Sequence, residues 1–283
     1  MKRKLTIGTL TYDDFDGLYF TVQAIRLFHP EVADEIEFLI LDNHPDGAHG
    51  GAVKRFAAWI REPVRYLPVT DAQGTALRDR LFGYAETESV LCVDSHVLLA
   101  PGSLRRLIDF FDAGEDDGNL LQGPLLFDDL HKTATHFDPV WRAHMWGVWG
   151  TDERGADPQA PPFEIPAQGL GIFACRKSAW PGFNPNFRGF GGEECYIHEK
   201  FRQRGKKTLC LPFLRWAHRF ERPAGVPYPL RNADRIHNYM LGHAELGLDP
   251  APVVAHFQGC LSEAQWQEIH SSVSTSSSSS SPS

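Results

Sequence analysis

The sequence predicts an α/β fold built on a mostly parallel central sheet, in one continuous domain over residues 1–270. Two observations carry this expectation. Strand-like and helix-like segments alternate through residues 1–110, the order that builds a parallel sheet covered on both faces. Two of the strand-like segments end in an acidic residue, Asp42 and Asp94. Ligands of such sheets bind outside the C-terminal strand ends, at the point where the strand order switches.

Each element follows from its local pattern. LTIGTLTY (5–12) is rich in β-branched and apolar residues and reads as a strand. The helix after it places Leu18, Val22, Ile25 and Leu27 at apolar positions and stops at Pro30. EIEFLILDN (35–43) reads as a buried strand, HPDGAHGG as a loop, VKRFAAWI as a short helix and VRYLPV as a third strand. GTALRDRLFGYAETE reads as a helix that Thr75 caps, SVLCVD (89–94) as a fourth strand, and PGSLRRLIDFFD as the next helix. Beyond residue 120 loops lengthen, and Trp141, Trp146 and Trp149 lie close together. QGLGIFACRKSAW (168–180) reads as a strand turning into a helix. NPNFRGFGGEECYIHEKFRQRG reads as a Gly-rich turn and a helix, KTLCLPFLRWAHRF as a strand with His218 near its end, and ADRIHNYMLGHAELG as a further helix. Residues 1–110 form the ligand-binding half of this expectation and 111–270 the second, α+β half. Residues 271–283 are nearly all Ser and read as a disordered tail.

Composition excludes several classes. The net charge of −8 lacks the basic field of a polyanion binder, so nucleic acid is not the expected partner. The basic N-terminus runs straight into a strand pattern without the apolar core of a signal peptide, and no apolar run has the length of a membrane span. The five Cys are scattered, none in a CxxC, which points to a reducing, cytoplasmic setting. Neither GxGxxG nor GxxxxGK[ST] occurs.

Three constellations can carry chemistry. Asp94 and His96 flank Ser95 at a strand end, where positions i and i+2 of an extended segment point the same way. A carboxylate with an imidazole suits Mn²⁺ or a similar ion better than Ca²⁺. Gly191 and Gly192 precede Glu193 and Glu194 at a helix start, where the dipole favours negative charge. Arg215–Trp216–Ala217–His218 ends a strand in a second imidazole. By themselves these are short signals, each equally readable as an ordinary turn, helix start or surface His.

In this order they resemble the catalytic core of the polypeptide N-acetylgalactosaminyltransferases and, more distantly, of the β-1,4-galactosyltransferases. The N-terminal half resembles family 2 glycosyltransferases, and residues 5–220 carry the likeness. It implies a GT-A fold, a nucleotide-sugar donor, UDP-linked by preference, and Mn²⁺ (or Mg²⁺) held by Asp94, His96 and His218. By the same likeness Thr9, Thr11 and Tyr12 meet the nucleoside, Asp42 the base or ribose, Arg78 the nucleotide, Gly192 and Asp94 the donor, and Glu193 the donor-sugar or acceptor hydroxyls. Glu194 falls at the galactosyltransferases' catalytic carboxylate, which is Asp in that family. The N-acetylgalactosaminyltransferases carry Asn there and retain configuration, so the likeness leaves stereochemistry open. The implied activity is sugar transfer to a hydroxyl of a glycan, protein or lipid-linked acceptor. The rival expectations are a metal-dependent nucleotidyltransferase and a non-catalytic nucleotide-sugar-binding protein. Two further expectations concern the second half. Trp141, Trp146 and Trp149 form either an acceptor-stacking wall or core or lid packing, and Arg231, His237 and Asn238 form either a lid over the diphosphate or an ordinary surface helix. The run Arg202, Arg204, Lys206, Lys207 complements a helix dipole.

Overall fold

The computed structural model describes residues 2–60, 63–72, 74–222 and 225–278. Strand β1 (Leu5–Thr11) leads through helix α1 (Phe15–Phe28) to β2 (Ile36–Asp42), through α2 (Gly50–Trp59) to β3 (Val64–Pro68), and through α3 (Leu77–Tyr84) to β4 (Ser89–Asp94). These four strands are parallel in the order β3-β2-β1-β4. The chain therefore moves outward from β1 to β3 and then returns to the other side of β1. That reversal is the switch point, and it opens a crevice beyond Thr11 and Asp94.

The remaining elements are β5 (Val97–Leu99), α4 (Ser103–Asp112), β6 (Leu120–Gln122), β7 (Leu125–Leu126), β8 (Thr133–Ala134), β9 (His136–Arg142), β10 (Met145–Gly150), β11 (Phe163–Glu164), β12 (Ile172–Arg176), α5 (Glu194–Gln203), β13 (Thr208–Cys210), β14 (Trp216–His218), α6 (Asn232–Leu246), α7 (Ala251–His256) and α8 (Glu263–Ser278). Beyond β4 the large sheet continues as β12, β6, β13 and β11. β12 is antiparallel to β4, while β6 and β13 are parallel to each other. The mostly parallel α/β architecture agrees with the sequence expectation.

Both faces of the sheet are covered, because β1, β2 and β4 are apolar on both sides. Leu18, Val22 and Ile25 of α1, Phe56 of α2 and Leu107 of α4 pack on one face against Ile7, Ile40 and Val93. Leu77 and Leu81 of α3, Ile197 and Phe201 of α5 and Leu241 of α6 pack on the other against Leu39, Leu41, Cys92 and Phe173. Each fully buried Leu or Ile of this kind contributes roughly 1.5–3 kcal/mol of transfer free energy.

Several local expectations are corrected. Leu27 is 70% exposed, because it lies two residues past Ile25 and off the buried i, i+4, i+7 stripe. Thr75 does not cap a helix: it sits in a 3₁₀ turn before α3, with its hydroxyl buried and unpartnered. The helix expected over PGSLRRLIDFFD forms as Ser103–Asp112, and the short strand β5 before it was not expected. KTLCLPFLRWAHRF forms two strands, not one, with a Leu214 N–H to Leu211 carbonyl turn between them. β13 joins the large sheet, and β14 joins a second sheet ordered β5-β14-β7-β8. The Ser-rich tail expected from residue 271 begins inside α8, which continues to Ser278; residues 279–283 lie outside the described residues.

Candidate active site

A cavity of about 280 Å³ lies at the switch point. Thr11, Tyr12 and Asp14 reach it from the end of β1, Asp94–His96 from the end of β4, Arg78 from α3, and Gly191–Glu194 from the start of α5. The second half closes it with Met145, Phe190, Arg222, Tyr228, Arg235 and Tyr239.

The second sheet assembles the first constellation. β5 pairs antiparallel with β14, Val97 opposite His218, and the Arg219 N–H donates to the His96 carbonyl at 3.2 Å. Residues 95–96 form a turn, not the extended strand end expected from the sequence. β-pairing thus brings His218 to His96 across 122 residues of chain. One ligand-type atom each of Asp94, His96 and His218 lies within 4.8 Å of the other two. The two Nε2 atoms face each other at 3.0 Å, and Asp94 Oδ2 is 3.6 Å from His218 Nε2.

Burial raises the Asp94 carboxyl, but His218 and the Arg78 guanidinium outweigh it and hold it well below the usual carboxylate range. Burial lowers His96. An ionised carboxylate beside a neutral imidazole is the state that a metal ion requires of its ligands. Two imidazole nitrogens and one carboxylate oxygen suit Mn²⁺ and its neighbours in the transition series. The two facing Nε2 atoms beside a carboxylate oxygen fit a site completed by a cation.

The opposite wall is the second constellation. Gly191 and Gly192 have φ of +98° and +87°, which L side chains rarely adopt. They turn the chain against α6, where a Cβ on Gly192 would meet the Arg235 carbonyl at 3.0 Å. Asn238 holds this turn by donating to the Arg188 and Gly191 carbonyls at 2.8 Å each. Glu193 and Glu194 then open α5. Glu193 Oε2 is buried without a partner. The Glu194 carboxyl is pushed up to about 8, by burial first and by the neighbouring Glu193 charge second, against the pull of Arg78 and Arg235. Arg78 spans the two walls, 3.5 Å from Asp94 Oδ1 through Nη2 and 3.5 Å from Glu193 Oε1 through Nη1.

At the nucleoside end expected from the sequence, Thr11 and Tyr12 line the cavity, and Tyr12 stacks on His44 with ring centroids 4.7 Å apart. Thr9 and Asp42 do not reach the wall. Thr9 is buried within β1. Asp42 accepts from Tyr66 Oη at 2.9 Å and from the His44 N–H at 3.0 Å, which turns its carboxylate away, and its burial raises its pKa. Asn43, the next residue, lines the cavity instead, with a buried, unpartnered Oδ1.

The tryptophans do not form one wall. Trp141 packs on Tyr239, His256 and Phe257, whereas Trp149 packs on Phe137 and Trp216. His237 and Asn238 are buried in α6, supporting the glycine turn and α8 rather than forming a lid, and Arg231 is exposed at the helix start. Arg202 is tied to Glu199 at 2.7 Å and Lys206 to Asp117 at 3.4 Å.

Sequence reasoning missed Asp14, Asn43, Arg222, Tyr228, Arg235 and Tyr239. Asp14 carried a readable signal, an Asp directly before an apolar helix pattern. Arg222 and Tyr228 lie in irregular chain that no periodicity singles out.

No protein-family model and no curated protein matches the chain. Solved structures do. A structure of GalNAc-T7 with UDP, GalNAc and Mn²⁺ superposes with a TM-score of 0.68 at 15% identity, over 96% of this chain and 54% of that one. The chain thus spans about half the length of GalNAc-T7. The mannosyltransferase PcManGT from Pyrobaculum calidifontis, in complex with GDP-Man and Mn²⁺, gives 0.56 at 14% identity, over 100% of this chain and 77% of that one. TarS from S. aureus in complex with UDP-GlcNAc gives 0.57 at 13%, over 98% and 73%. The chain has the fold these structures share, the α/β class called GT-A.

Proposed function

We propose that this chain is a metal-dependent glycosyltransferase of the hexosyltransferase type, moving a sugar from a nucleotide-sugar, UDP-linked by preference, to an acceptor hydroxyl. One observation carries the reading. Asp94 and His96, with His218 clustered behind them, and the Glu193–Glu194 helix start face one cavity at the switch point of a GT-A sheet. The nucleotides and nucleotide-sugars in the three similar structures, with Mn²⁺ in two of them, support it. The unpaired state of all five cysteines accords with a reducing, cytoplasmic compartment.

Asp94, His96 and His218 would hold Mn²⁺ or Mg²⁺, which when bound supplies charge neutralisation for the departing diphosphate. Arg78 adds a second, permanent positive charge to that end of the cavity. Tyr12 offers a ring face to the nucleoside, and Asn43 Oδ1 an acceptor. At the other wall Glu193 Oε2 is free to accept a sugar hydroxyl. Glu194 takes the acceptor's proton as the acceptor oxygen bonds the anomeric carbon, and the diphosphate leaves with the electron pair of the broken bond. This arrangement inverts configuration, and the acceptor is a glycan, protein or lipid-linked saccharide. A carboxyl pushed toward 8 is a stronger base than an ordinary one, which suits general-base work near neutral pH.

The test is a thermal-shift screen of UDP-, GDP-, CMP- and dTDP-sugars with and without Mn²⁺, followed by product analysis. One donor raises Tm only with metal, because a ligand stabilises the state it binds, and turnover releases a nucleoside diphosphate. Release of pyrophosphate would instead make the chain a nucleotidyltransferase. Binding of the donor without transfer or slow hydrolysis would make it a binding protein.

A further inference from the structure

His96 and His218 meet Nε2 to Nε2, yet what stands behind each ring differs. Nδ1 of His218 is buried without a hydrogen-bond partner. Nδ1 of His96 lies 3.2 Å from Oδ2 of Asp14, 82 residues earlier in the chain. Arg222 Nη2 stands 3.0 Å from Nδ1 and 2.9 Å from Nε2 of His96, and a guanidinium only donates. An ionised carboxylate only accepts hydrogen bonds, so the Asp14 contact favours the proton on Nδ1 of His96 and leaves Nε2 to accept. A neutral imidazole carrying that proton keeps the lone pair on Nε2. This is the nitrogen that faces His218 Nε2 at 3.0 Å and Arg222 Nη2 at 2.9 Å.

Asp14 is itself held from three sides. Its Oδ1 accepts the Gly17 N–H at 3.1 Å, which caps α1. Its Oδ2 also accepts the Ser95 hydroxyl at 3.0 Å, and Arg219 Nη2 stands 3.6 Å from Oδ1. The side chain is 12% exposed. The α1 start, the turn at residues 95–96 and the end of β14 therefore meet on one carboxylate.

We propose that Asp14 is a positioning residue of the metal centre: it fixes the tautomer and ring orientation of His96, so that Nε2 is presented to the divalent cation. The inference rests on the reading of Asp94, His96 and His218 as metal ligands. A carboxylate behind a ligating imidazole raises its basicity as well as aligning it, and losing such a partner typically costs about 10–100-fold in metal affinity.

Asp14→Asn separates this role from helix capping. Asn caps as well as Asp, and its Oδ1 still accepts from Gly17. The amide nitrogen then replaces Oδ2, and as a donor it demands an unprotonated Nδ1. The His96 proton moves to Nε2, and the lone pair is lost from the metal side. Calorimetry with Mn²⁺ alone should show Kd weakened about 10–100-fold, while the Tm of the metal-free variant stays at the wild-type value. Histidine ¹⁵N–¹³C correlation spectra of the metal-free protein, assigned by the signals lost in His96→Gln, should report Nδ1–H in wild type and Nε2–H in Asp14→Asn. Should Asp14→Asn fail to fold, Asp14→Ser keeps a capping hydroxyl too short to reach His96, and it should weaken Mn²⁺ binding likewise.

Mn²⁺ binding by wild type with undiminished affinity in both variants would overturn the positioning role alone, as would an Nε2–H tautomer in wild type. A wild-type protein that binds neither Mn²⁺ nor Mg²⁺ would overturn the metal centre and this role with it.

Discussion

The two carboxylate walls of the cavity face one another across Arg78, and they hold their protons in opposite ways. Asp94 lies within reach of His218 and Arg78, which keep it ionised against the cost of burial. Glu194 sits beside another carboxylate at a helix start, and burial with like charge pushes it up to about 8. Environment, not residue type, sets the difference, and it divides the labour. On the proposed function, the ionised wall meets the cation and the proton-retaining wall takes the acceptor's proton. Each half of that contrast can be broken separately.

The largest effect is expected from Asp94→Asn. It preserves volume but removes the only carboxylate of the ligand cluster, so Mn²⁺ affinity should fall further than the roughly 10–100-fold that a supporting residue costs. Calorimetry should detect no metal-dependent nucleotide binding. Retention of tight Mn²⁺-dependent binding would remove Asp94 from the centre.

Glu194→Gln should lower turnover by about 10²–10⁴-fold with donor affinity intact, as steady-state kinetics and titration calorimetry would read separately. Wild-type turnover should climb as pH rises toward about 8, where Glu194 ionises, and the variant should lack that limb. Stability moves the other way. In the folded state the Glu194 pKa is raised above its ordinary 4.5, so its contribution to stability is full below that value and is lost as pH rises through about 8. Thermal melts should show Glu194→Gln gaining on wild type across that window. A pH-independent difference in Tm would contradict the raised pKa.

Arg235 pulls Glu194 down, so Arg235→Gln should carry the ascending limb to higher pH without abolishing it. An unmoved limb would mean that the Arg235 charge is screened from Glu194 in solution.

The same contrast explains what the sequence disclosed. β1 to β4 were legible because each is an apolar run bounded by turn residues, and parallel strands declare themselves that way. Asp94 with His96, and Glu193 with Glu194, were legible because each pair falls within three residues of chain. The contact of Asp14 with His96 was not, since it arises only once α1 has docked on the turn after β4. Asp42 and Thr9 stand off the cavity lining for the converse reason. Their place at the right strand was readable, but the Tyr66 hydroxyl that turns Asp42 away lies 24 residues on, in β3. The split of KTLCLPFLRWAHRF between two sheets was equally hidden, because both halves are apolar enough to be strands and only partner strands decide the sheet.

The smallest expected effect lies at the seam between the two walls. The Thr75 N–H donates to the Gly189 carbonyl at 3.0 Å, joining the entry to α3, which carries Arg78, to the loop that delivers Glu193 and Glu194. The Thr75 side chain contributes nothing to this seam through hydrogen bonding, for its hydroxyl is fully buried and unpartnered. An unsatisfied buried hydroxyl costs about 1–3 kcal/mol, and Val has nearly the same shape without it. Thr75→Val should therefore stabilise the fold by about 1 kcal/mol, at the low end of that range, and leave the pH dependence of turnover unchanged, because the backbone bond is untouched. Denaturant unfolding at fixed m-value would measure the first, and the pH–rate profile the second. A loss of stability in Thr75→Val would mean that the hydroxyl has a partner in solution, and a shifted pH profile would mean that the seam transmits side-chain packing to Glu194.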